Sequence, residues 1–116
     1  MKVALPLDET KEKVCVTFGR APYFLFVDGK NRVIKENPGS ISQGGAGLQA
    51  AQFLVDEHVD VLITRRCGQN AADVFNEANI KVYETKELNI EKVLVAYQET
   101  KLELLTHFHA GYVGTK

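Results

Sequence analysis

The run Val59-Asp60-Val61-Leu62-Ile63 lies between two stretches of helical periodicity, and this constrains the fold more than any other feature of the chain. Before it, Leu48, Ala51, Leu54 and Val55 share one helical face, with His58 at its end. After it, Ala71, Val74, Phe75 and Ala78 make an i, i+3, i+4, i+7 stripe. The run itself is too short for a helix and rich in β-branched residues, so it is a strand. A strand between two helices pairs parallel with its neighbours through right-handed crossovers. Residues 59–63 are therefore a central strand, parallel to the first strand of the chain, in an α/β architecture.

The remaining elements follow from the same reading. Val3, Ala4, Leu5 and Leu7 form the first strand, which stops near Pro6 and Asp8, and residues 8–20 read as a loop. Tyr23 to Val27 is a buried strand. Asp28-Gly29-Lys30-Asn31 is a hairpin turn, because glycine supplies the positive φ that such turns need. Arg32 to Glu36 returns, and Asn37-Pro38-Gly39 ends that strand. The glycine-rich stretch SISQGGAG (40–47) feeds the first helix. Ile80 to Tyr83 is a short strand, and Asn89 is the expected N-cap of a helix with the stripe Ile90, Val93, Leu94 and Tyr97. Leu102, Leu104 and Leu105 extend or follow that helix; the tail THFHAGYVGTK has no clear period. The expected architecture is a mixed five-stranded sheet of order 3-2-1-4-5, strand 2 antiparallel, with helices on both faces. It resembles the ribonuclease-H-like three-layer class. Residues 1–105 are expected to form one domain and 106–116 a C-terminal tail. The chain reverses direction between strands 1 and 4, and ligands of open α/β sheets sit at the carboxyl ends of strands flanking such a point.

The chain has 116 residues and a net charge of −1, so nothing in its total charge favours nucleic acid or an anionic membrane. It carries no apolar run long enough to span a bilayer and no signal peptide, so a cytoplasmic location is expected. Cys15 and Cys67 are then reduced thiols.

The heptapeptide TRRCGQN (64–70) falls where the central strand turns into a helix, at the reversal point. If Asn70 begins that helix, the N–H groups from about Gly68 onward face the cleft and suit an anion. Gly68 allows close approach of the backbone. Cys67, just ahead of the helix, is then expected to have a lowered pKa and to be partly thiolate, the form that binds metals. The alternative is a small buried residue, with Gln69 or Asn70 merely capping the helix. Arg65, Arg66 and, from the first loop, Arg20 add guanidinium forks, although successive residues diverge and at least one of the 65–66 pair is expected to point elsewhere. Gly44, Gly45 and Gly47 form a possible second anion cradle, but they lack the Lys-Ser/Thr ending of a P-loop. Cys15 could approach Cys67 and share a metal with it, without the support of a CxxC spacing. His107 and His109 read as surface residues rather than a chelating pair. Asp8 is a nuclease-type carboxylate without legible partners, and no nucleophile–base set is seen.

Three stretches together resemble the dinitrogenase iron–molybdenum cofactor biosynthesis family. They are MKVALPLDE at the start, FGRAPYFLFVD (18–28) and ENPGS…GGAGLQAAQFLVDEHVDVLI (36–63), extended by GQNA (68–71) and IKVYE (80–84). The resemblance implies a ribonuclease-H-like fold without nuclease activity. It also implies binding of an iron–molybdenum cofactor, or an iron–sulfur precursor of it, for storage or delivery. Phe18, Gly19, Arg20 and Ala21 carry the first motif; Gly44, Gly45 and Gly47 the glycine loop; Gly68, Asn70 and Ala71 the second helix start. Many members place a histidine before the Phe-Gly pair, where this chain has Thr17. The glycine loop, often histidine-containing, reads SQGG here, and Cys67 stands where many members have an apolar residue or glycine.

The expected function is thus non-enzymatic: binding, storage or delivery of an anionic iron–sulfur or iron–molybdenum-type cluster. Its ligands would be Cys67 and Cys15, its anion contacts Arg20, Gly44, Gly45, Gly47, Arg65, Gly68 and Asn70, and its partners cofactor-assembly proteins. The alternative is a metal-free module for a small anion or phosphometabolite, using the same arginine, glycine and helix-start donors.

Overall fold

A computed structural model describes residues 1–108. The elements run β1 (Lys2–Leu7), β2 (Tyr23–Asp28), β3 (Asn31–Glu36), a single 3₁₀ turn (Pro38–Ile41), α1 (Ala46–Asp56), β4 (Val61–Thr64), α2 (Gln69–Glu77), β5 (Lys81–Glu84), α3 (Ile90–Gln98) and β6 (Glu103–Leu104). Gly29 takes a φ of 63° in the β2–β3 turn, as the hairpin requires. Asn89 caps α3 by accepting from the Lys92 N–H.

All the strands join one mixed sheet of order β3-β2-β1-β4-β5-β6. β1 pairs antiparallel with β2 (Leu5 opposite Leu25) and parallel with β4 (Ala4 opposite Leu62). β4 and β5 are parallel. The expected five strands are corrected to six among the described residues. Thr100, at φ 57°, turns the chain just past α3, and Glu103–Leu104 then pairs antiparallel with β5. Leu102, Leu104 and Leu105 therefore do not extend the helix.

Strand alternation sorts the core into two layers. On one face Ala4, Phe24, Phe26, Leu62 and Val82 meet Ala50, Ala51 and Leu54 of α1 and Ala71, Ala72 and Phe75 of α2. On the other, Val3, Leu5, Leu7, Leu25, Val61 and Ile63 meet Val93 and Leu94 of α3. The helices thus cover both faces, as expected.

The β1–β2 connection is anchored at several points. Val14 bridges to Leu7, its N–H donates to the Leu88 carbonyl at 2.9 Å, and that of Cys15 donates to Pro6 at 2.8 Å. Phe18 then inserts between Phe24 and Phe75, its ring 5.5 Å from each by centroid and edge-on to Phe75. Two glycines allow the loops to close on α1. A Cβ on Gly19 would lie 2.8 Å from the Gly47 nitrogen, and one on Gly39 would lie 2.6 Å from the Ala46 carbonyl oxygen.

Cys67 belongs to the α1–α2 side of this core. It is 1% exposed and its thiol donates to the Gly68 carbonyl at 3.4 Å. Burial pushes the thiol up to about 12, so the expected lowered pKa and thiolate character are corrected. The helix terminus that would favour a thiolate lies beside Cys67, but desolvation of the charged form outweighs it. Of the two histidines in the tail, His107 is exposed and His109 lies outside the described residues.

Two predictions follow from this packing. Gly39→Ala forces a carbon against backbone and should cost about 1–3 kcal/mol. Gly44→Ala, with nothing within 4 Å of the added carbon, should stay within about 0.5 kcal/mol of the parent. Urea denaturation curves compare them, and equal losses would contradict the packing described. Secondly, an alkylating reagent should label half-buried Cys15 in the native protein and Cys67 only after unfolding. The unfolded thiol gives up its proton near pH 8.5 and the folded one only near 12. The unfolded state therefore binds fewer protons between these values, and the Cys67 contribution to stability falls as pH rises through that window. The difference between wild type and Cys67→Ala, followed by denaturation at several pH values, isolates it.

Candidate functional site

Both α1 and α2 begin without a side-chain cap. The N-cap of α1 is Gly45, at φ 70°, and that of α2 is Gly68; neither helix has an acidic residue in its first turn. Gln69 does not cap α2, because its amide reaches forward to Asp73 at 2.8 Å. By contrast α3 has the Asn89 cap and Glu91 in its first turn. Unpaired N–H groups and the positive end of the helix dipole are thus left open at two helix starts.

The two starts border one cleft of about 410 Å³. It is walled by residues 16–20 from the β1–β2 connection, by residues 43–48 from the glycine loop and first turn of α1, and by Arg66, Gly68, Asn70 and Ala71 from the β4–α2 turn. Arg20, Gly44, Gly45, Gly47, Gly68 and Asn70, all singled out from the sequence, meet here. The glycine loop, a weak motif alone, gains its meaning from this placement. Added carbons at Gly44 and Gly47 would meet nothing within 4 Å, so the missing side chains leave cleft volume rather than relieve a clash.

The arginines divide their tasks. Arg20 donates from Nη1 to the Ser42 carbonyl, with the Ser40 carbonyl at 3.5 Å, and so ties the first loop to the segment beyond the 3₁₀ turn. Arg66 lines the cleft and is exposed. Arg65, chosen from the sequence, turns the other way: its Nη1 donates to the Lys86 carbonyl at 3.2 Å and it is not part of the wall. Arg66 is the residue that the sequence reading left out of its contact set. Divergence of neighbouring side chains was the signal, but it did not say which of the pair would face the cleft. The ion pairs among the described residues involve neither Arg20 nor Arg66.

The cysteines do not meet in the cleft. Cys67 lies in the core, and neither thiol is part of the wall. The Cys15 sulfur sits 3.5 Å from the hydroxyl of Thr17, which does line the cleft. Among the described residues no group of three histidine, cysteine or acidic side chains is placed to hold a metal ion. Phe18, Ala46, Leu48 and Ala71 add apolar surface, and Val16 and Leu48 remain exposed at the border. The site offers positive potential and N–H donors around a partly apolar hollow.

The fold and this cleft can be set beside known proteins. The apo form of the orange protein from Desulfovibrio gigas superposes with a TM-score of 0.83 at 25% identity, over 90% of this chain and 92% of that one. The NMR structure of a NifB-like protein from Thermotoga, placed in the DUF35 family, gives 0.76 at 31% identity over 92% and 95%. A dinitrogenase-like protein from Methanocaldococcus jannaschii shares the fold, with a TM-score of 0.73 at 20% identity over 92% and 96%. No curated protein matches the chain in sequence. Residues 1–100 match the family model described as dinitrogenase iron-molybdenum cofactor. With nearly the whole described fold inside that match, the chain belongs to the dinitrogenase iron–molybdenum cofactor family.

Proposed function

We propose that this protein binds an anionic metal–sulfur cluster, or a precursor of the iron–molybdenum type, as cargo for storage or delivery to cofactor-assembly proteins, without catalysing a reaction. The observation that carries this reading is the meeting, at a single cleft, of two uncapped helix starts and two arginines that have no acidic partner among the described residues. An anion there receives N–H donors that no side chain caps, and charge-assisted bonds from guanidinium groups. Apolar surface beside these donors suits a weakly hydrated sulfide surface. The cargo is held by its charge and shape, and Cys67 supplies no thiolate to it. Cys15 is the less buried thiol, beside the cleft residue Thr17, and is the one a coordination role would use. A cytoplasmic setting, with reduced thiols, agrees with this; no described helix is long and apolar enough to cross a membrane. The ribonuclease-H-like reading rests on the β3-β2-β1-β4-β5 order within the sheet.

A metal-free module for a small anion or phosphometabolite is the second reading. It is favoured by the burial of Cys67 and by the backbone character of the cleft donors.

Anaerobic incubation with ferrous iron and sulfide, followed by gel filtration, should leave charge-transfer absorbance on the protein. Its loss from the wild-type chain, together with thermal stabilisation by inorganic phosphate, would favour the second reading. Arg66→Ala should weaken binding about tenfold or more, the scale of one hydrogen bond to a charged group. Cys67→Ser should leave the spectrum unchanged, and a changed spectrum would restore that thiol as a ligand. Asn70→Asp gives the sharpest contrast. A carboxylate in the first turn of α2 should raise stability by about 0.3–1 kcal/mol, yet repel an anion in the cleft. Denaturation and binding measured on one sample should therefore move in opposite directions; parallel changes would count against an anion site.

A further inference from the structure

Asn37 touches the cleft-forming segments without lining the cleft. It follows β3 and is 2% exposed. Its Nδ2 donates to the carbonyl oxygens of Gly19 at 2.9 Å and Ala21 at 2.8 Å, and its Oδ1 accepts from the Gly39 N–H at 2.8 Å. Both amide donors are thus in use, along with an acceptor position. Its backbone N–H also donates to Pro22 at 3.0 Å, and its carbonyl accepts from Ser40 at 3.1 Å.

These partners are not scattered. Gly19 and Ala21 flank Arg20, so the backbone of that arginine is held on both sides. Gly19 is one of the two glycines pressed against the first turn of α1, and Gly39 is the other. The carbonyls of Ser40, next after Gly39, and of Ser42, two residues further on, receive the Arg20 guanidinium. A single buried amide therefore joins the first cleft wall to the segment that leads into the second. A hydrophobic residue of similar size would take this partner from three backbone groups, two of them in buried bonds.

We infer that Asn37 is a positioning residue for the anion cleft: it sets segment 16–21 against the first turn of α1 and so fixes where Arg20 stands. The inference rests on the anion-binding reading of the cleft. It differs from an ordinary buried polar contact in what it disturbs. Loss of a general core contact loosens the whole domain, whereas loss of this one shifts two walls of the cleft and leaves β4 and the start of α2 in place.

The test uses the full chain with Asn37→Asp. Aspartate keeps the acceptor for Gly39 but loses both donations, so the two ends of the amide are read separately. Amide hydrogen exchange should quicken at residues 18–21 and 44–48 and stay unchanged in β4 and α2. Affinity for the iron–sulfide species should fall about tenfold. Asn37→Ser serves the same purpose if the aspartate variant does not fold. Unchanged exchange at residues 18–21 in a folded variant would overturn the inference, as would a uniform rise across all elements. Failure of both variants to fold would also overturn it, by making Asn37 a determinant of the entire domain. If wild type binds no iron–sulfide species, the functional reading fails, whereas the exchange pattern still decides the role of Asn37.

Discussion

The burial of Phe18 between Phe24 of β2 and Phe75 of α2 is the contact on which the rest of the site depends. The β1–β2 connection is long and mostly polar. Without an anchor it would have little reason to return over the sheet, since ordering each loop residue costs conformational entropy. Phe18 is 4% exposed, and a side chain of that size contributes on the order of 1.5–3 kcal/mol when buried. Its neighbours on the chain are then carried to the mouth of the sheet. With Phe18 in the core, its neighbours Thr17 and Arg20 are brought to the cleft wall, where the other anchors of the loop hold them.

The positive character of the cleft follows from topology as much as from arginine. α1 leads into β4 and α2 leads out of it, and both pack on the same face of the sheet. Both helices run back along the sheet from the carboxyl end of β4, so their N-termini meet at that end. A chain selected for stability alone would cap such starts with Ser, Asp or Asn, as α3 does with Asn89. Glycine at both positions gives up that stabilisation and leaves the N–H groups to whatever enters the cleft. In the proposed function, stability and ligand binding compete at these two residues.

Hydrophobic period made most of the architecture legible. Parallel pairing of β1 with β4, the hairpin at Gly29 and the Asn89 cap each depend on local pattern and came through unchanged. β6 did not, because a two-residue strand has no period of its own and forms only when Thr100 reverses the chain onto β5. The heptapeptide 64–70 was legible as a segment bordering the cleft but not in its details. Its helix start and Gly68 stand where expected. Arg65 and Cys67 do not face the cleft, because side-chain direction after a strand end is set by how the turn packs.

The sequence by itself determined β1 to β5, the three helices and their pairing sense, because these depend on periodicity, glycine placement and crossover handedness. Only the tertiary structure decided that Arg66 rather than Arg65 borders the cleft, that Cys67 is a protonated core thiol, and that Asn37 joins the loops. Those outcomes depend on burial and on hydrogen bonds between residues distant along the chain. Desolvation of one sulfur and satisfaction of one amide are properties of a packed interior, and no local pattern encodes them.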